Sequence, residues 1–189
     1  FHVSGSSPSR WVTNGPSNQY FVEATDFERE VTGSSSATRA TWRLHEPGVG
    51  FVDFYREDSS VPTALVGQIA QECDVYGNRR VYDYDIYTYS TSVAHRLRRV
   101  RFYAAGTYAP STPSTNIPQA EARFFWHMTS DPATNGKLDF ITVARFDAEG
   151  DAVVTNMVQY RYKTSTDTVD ADCGAEGDLV QVAAYTRVS

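Results

Sequence analysis

Ten short stretches of this chain alternate apolar and polar side chains with a period of two, and prolines, glycines and asparagines separate them. Such alternation fits strands with one buried face; a helix would repeat its apolar face every 3 to 4 residues. Thr38–His45 shows it best, with Ala40, Trp42 and Leu44 on one side and Arg39, Thr41 and Arg43 on the other. Gln19–Thr25, Gly50–Arg56, Val81–Tyr89, Leu97–Tyr108, Arg123–Met128, Leu138–Phe146, Ala152–Tyr162 and Leu179–Val188 read the same way. Ala64–Tyr76 is long enough to need a bend, for which Gly67 is the candidate bulge. Turns are expected at Pro47–Gly48, Gly77-Asn78, Asn135-Gly136 and Ala148–Asp151, and Pro110–Pro118 as a long surface loop. Only Thr25–Val31 and Pro118–Ala122 have any helical character. The expected fold is all-β, an antiparallel β-barrel or β-sandwich of about ten short strands with long loops, since many short strands must bury one face and manage their edges.

Residues 1–18, rich in Ser, Pro, Gly and Asn, read as a flexible N-terminal edge or linker, and 19–189 as a single all-β domain. No unit of solenoid or propeller length repeats. The start has neither an initiator Met nor a signal-peptide pattern, so the chain reads as a module cut from something longer. At 41% hydrophobic it carries enough apolar matter for a core. No run is long enough to span a membrane as a helix.

Seventeen basic against 23 acidic residues leave a net charge of −6, a field that repels phosphate backbones, so no nucleic-acid partner is expected. Lys137 and Lys163 are the only lysines. Cys73 alternates with Leu65, Ile69 and Val75 and reads as a small buried hydrophobe, whereas Cys173 lies in an acidic glycine loop. The two read as free thiols, which favours assembly in a reducing compartment.

The chain has no G-x-S-x-G, Walker, H-E-x-x-H or C-x-x-C motif. His2, His45, His95 and His127 are too scattered in sequence to suggest a metal site, and no cofactor is expected. The acidic glycine loops Asp147–Asp151 and Asp170–Asp178 lack the spacing of a calcium loop and read as ordinary turns. Binding is therefore expected rather than catalysis. The strongest local oddity is His95–Arg101, a basic run inside an acidic protein, with Tyr103 and Tyr108 nearby. If Val81–Tyr89 and Leu97–Tyr108 form a hairpin, Asp83 and Asp85 lie near Arg99 and Arg101 across the ladder. Strict alternation would then turn Arg96 and Arg98 to the opposite face, leaving Arg96, Arg98 and Tyr108 as candidates to hold an anionic glycan.

A Ser/Thr/Tyr-rich all-β module with free thiols, no Asn-x-Ser/Thr site at any of its six asparagines, and aromatic strands at Trp42, Tyr82–Tyr89 and Phe124–Trp126 resembles the capsid spike domain of astroviruses, possibly an avian one. The resemblance is of general character along the whole chain, with no diagnostic motif. It implies a dimeric spike on the virion surface, assembled in the host cytoplasm, that attaches to a host-cell receptor or glycan and is bound by antibodies. No receptor-site residue is carried over from it. Two other readings remain open: a carbohydrate-binding β-sandwich module of a bacterial or phage protein, and a small-molecule-binding β-barrel of lipocalin or cystatin type.

Overall fold

In a computed structural model of the chain, the alternating stretches become strands that pair with their chain neighbours. The structure describes residues 2–4, 10–12, 21–31, 35–89, 92–108, 116–128, 130–131, 133–166 and 174–188. The strands are β1 (His2–Ser4), β2 (Arg10–Val12), β3 (Phe21–Val31), β4 (Ser35–Glu46), β5 (Gly50–Tyr55), β6 (Ile69–Asp74), β7 (Arg79–Tyr89), β8 (Ser92–Tyr103), β9 (Ala120–Trp126), β10 (Leu138–Phe146), β11 (Ala152–Tyr162) and β12 (Leu179–Val188). One 3-10 turn, Thr63–Leu65, is the only helical element among the described residues. The protein is all-β and antiparallel.

Two compact units divide it, residues 1–119 and 120–189. The first is a meander of β1 to β8, the second a meander of β9 to β12. Among the described residues no pairing joins β1 to β8 or β9 to β12, so neither meander closes on itself.

Several sequence expectations change. Thr25–Val31 is not helical; it is the second half of β3 and pairs residue for residue with β4. Pro118–Ala122 runs instead into β9. In both places the partner strand overrides weak local preference. The stretch from Ala64 to Tyr76 is not one bent strand. Tyr55 accepts from the Gly67 N–H at 2.8 Å and donates to the Gln68 carbonyl at 2.9 Å, so a turn precedes β6, and Gly67 takes it at φ +83°. The segment expected as a flexible edge contains β1 and β2, paired to each other and onward to β3. Most of Pro110–Pro118, and Cys173, lie outside the described residues.

The core of the first unit gathers Ala40, Tyr55, Val61, Leu65, Ala70, Val81 and Tyr103, with Tyr84 and Tyr108 packed against it. Around it the interior is unusually polar. Asp53 is fully buried between two cross-strand neighbours, Arg43 on β4 and Gln71 on β6. Arg43 grips it with Nε and Nη2 at 2.7 and 2.8 Å, Gln71 donates Nε2 at 2.7 Å, and Arg79 Nη1 donates to Gln71 Oε1 at 2.9 Å. A buried carboxylate is tolerable only when paired and hydrogen-bonded in this way.

Candidate functional site

The basic run forms most of β8. Asp83 on β7, 1% exposed, accepts from Arg99 Nε at 2.8 Å and lies 3.1 Å from Arg101 Nη2, so the pairing expected for Asp83 is present. The rest of the expectation is corrected by a β-bulge. Asp83 opposes Arg99, but Tyr84 opposes Leu97 and Asp85 opposes Arg96, which leaves Arg98 as the extra residue. Opposed residues share a face, and so do Asp83 and Asp85, two apart on one strand. Arg96 therefore lies on the same face as Arg99, not on the opposite one.

The three candidate residues do not form one site. Arg98 pairs with Asp85 at 3.5 Å. Arg96 stands 5.3 Å from the Tyr87 ring centroid, and Tyr87 in turn donates to Asp85 at 3.3 Å. Tyr108 packs on Tyr103, ring centroids 4.9 Å apart, and beneath the Arg79 guanidinium. Burial raises its phenol's pKa. Arg79 opposes Tyr103 at the far end of the hairpin from Arg96, roughly 20 Å away at about 3.3 Å per residue. Tyr108 is a core residue.

Among the described residues no group of three or more His, Cys, Asp or Glu could hold a metal ion. Cys73 is a buried free thiol whose pKa burial pushes up. Asp147 Oδ1 accepts the N–H groups of Glu149 and Asp151, and Asp178 Oδ2 that of Ala175, so these acids close their own turns.

The second unit carries a hollow that the sequence did not reveal. Register places Gln159 opposite Ala183, Arg161 opposite Gln181 and Met157 opposite Tyr185, all on one face of β11 and β12. At one end of this face His127, just past β9, and Asp139, the bulge residue of β10, meet at 3.5 Å. Tyr162 stands edge-on to the His127 ring with centroids 6.1 Å apart, and the Lys137 ammonium lies 5.0 Å from its centroid. Lys137 also donates to the Gly177 carbonyl, which ties the 174–178 turn to this end of the sheet. The result is a hollow of about 320 Å³, with Gln159, Gln181, His127 and Asp139 offering polar groups and Tyr162 and Tyr185 offering rings. Burial raises the Tyr162 phenol's pKa. A few convergent polar groups beside aromatic rings are the kind of lining that small-ligand sites share.

No protein-family model, curated protein or solved structure matches this chain. No helix among the described residues is long and apolar enough to cross a membrane, which says nothing of strands.

Proposed function

We propose that the chain is a non-catalytic recognition module that binds a glycan in the hollow of its second unit. The observation that carries this reading is the gathering of tyrosine rings and the side-chain amides of Gln159 and Gln181 around one hollow. A sugar presents apolar C–H faces and hydroxyl edges. Tyr162 and Tyr185 suit the first, and Gln159 and Gln181, each both donor and acceptor, suit the second. On this reading the module serves host attachment, as the surface of a capsid projection exposed to receptors and antibodies.

The test is a glycan array probed with the purified protein, then affinity measurement on any hit. Gln159→Ala and Tyr162→Ala should each lower affinity by about three- to tenfold, the usual worth of one well-placed contact. Parent protein that retains no glycan, or both variants binding like the parent, overturns the proposal. An Arg96→Gln/Arg98→Gln double variant is the companion arm: it should bind normally, and loss of binding there moves the site to β8.

A further inference from the structure

The first unit holds a different hollow, independent of the glycan reading. Trp42 on β4 opposes Phe54 on β5, and Val22 on β3 lies one pair further along the same face, opposite Leu44. These side chains and the turn at Val66–Gly67 border an open, shallow hollow of about 670 Å³, with Arg56 at one side. Apart from Arg56 and Glu57, which is exposed and so free to swing into water, the lining side chains are almost wholly hydrocarbon.

Arg56 is the unusual element. Its backbone N–H is fixed to the Ala40 carbonyl at 3.1 Å, and its guanidinium carbon lies 5.9 Å from the Trp42 ring centroid. Its ion-pair partner among the described residues, Asp26, stands 3.8 Å from Nη2, beyond hydrogen-bond distance, and is 63% exposed. Arg43, Arg80 and Arg99 hold their carboxylates at 2.7 to 2.9 Å. The Arg56 Nε is buried and has no hydrogen-bond partner among the described residues. Among the described residues, this five-donor guanidinium at an apolar wall thus has no carboxylate within hydrogen-bond distance.

We propose that this hollow binds an amphipathic monocarboxylate, its hydrocarbon body against Trp42, Phe54, Val22 and Val66 and its carboxylate on the Arg56 fork. A sugar fits poorly here, because its hydroxyls would face hydrocarbon and go unpaired. A polyanion fits poorly too, since one cation in an acidic protein cannot offset several charges. A single planar carboxylate matches both the charge and the fork geometry.

Calorimetric titration of the whole protein with decanoate, kept below its micellar concentration, tests this against decanol, which has the same chain without the charge. Decanoate should bind saturably at one site, and decanol at least about tenfold more weakly. Arg56→Gln should lower decanoate affinity by a similar factor and leave decanol unchanged. Val66→Asp, at an exposed turn where folding should tolerate it, should abolish binding of both. Absence of saturable decanoate binding, or decanoate affinity unchanged in Arg56→Gln or in Val66→Asp, overturns the proposal. None of these outcomes bears on the glycan hollow, which shares no residue with this one.

Discussion

Asp83 shows what single residues do in this interior. It is 1% exposed and meets Arg99 and Arg101, the latter itself 4% exposed. Removing one member of a buried charge cluster leaves the others desolvated and unpaired, a cost of about 3–5 kcal/mol. Asp83→Ala is expected to lose stability of that order, read as a fall in the denaturant midpoint at unchanged slope. A loss under about 1 kcal/mol would show that water reaches the two arginines. The tyrosines set a second residue-level expectation. Burial, with the Glu72 carboxylate nearby, raises the Tyr82 phenol from its ordinary 10 to about 12, and burial moves Tyr84 and Tyr108 the same way. A folded-state pKa above the unfolded value means the unfolded chain ionises first as pH rises. The stabilising contribution is therefore whole below pH 10 and is lost between 10 and about 12. Melting temperature should hold flat to pH 10 and then fall, with phenolate absorbance at 295 nm lagging behind that of free tyrosine. The Asp83 pairing could be read from the sequence because opposite charges at matching offsets on two alternating strands admit few other registers.

At the scale of elements, legibility depended on whether alternation was interrupted. The strand set was readable because period two persists through β4, β7, β10 and β11. The bulge at Arg98 was not, since Arg-Leu-Arg-Arg-Val-Arg alternates acceptably with or without an extra residue. One skipped position then moved Arg96 to the other face. The second unit's hollow was hidden for another reason: its residues come from four strands or their ends, from His127 to Tyr185, and glutamines and tyrosines on strands look ordinary one at a time. Gly50 is an element-scale feature that the sequence did not single out: it opens β5, two residues past the turn expected at Pro47–Gly48. It sits at φ +134°, and a Cβ there would lie 1.9 Å from the Cys73 carbonyl oxygen on β6. Gly50→Ala therefore forces the β5–β6 pairing apart, since the obstacle is backbone that cannot rotate away. A loss of more than about 2 kcal/mol is expected, above the usual strain at a left-handed position alone. Crowding at the hairpin should also speed amide exchange at Asp74 and Val75. A variant as stable as the parent would mean that the two strands can part there at little cost.

For the molecule as a whole, the remaining question is what covers the second unit's last strand. β12 pairs only with β11 among the described residues, so its other edge presents a row of backbone N–H and C=O groups. Its side chains do little to protect that edge: Leu179, Val182 and Tyr185 are each more than half exposed, and Arg187 is its only charge. Long apolar edges invite another strand, and proteins that must stay monomeric blunt them with lysine, proline or a bulge. Antiparallel pairing of two copies of β12 about a two-fold axis would satisfy both edges at once and bring no charge opposite a like charge when centred on Ala183, where Leu179 meets Arg187. The protein is therefore expected to sediment as a homodimer at tens of micromolar. Val182→Lys, which puts a charge at the middle of the edge without touching the β11 ladder, should return it to monomer with its melting temperature extrapolated to low concentration unchanged. A parent protein that sediments only as monomer would reject the dimer. A Val182→Lys variant that still dimerises would instead place the interface away from β12, on another of the exposed apolar faces.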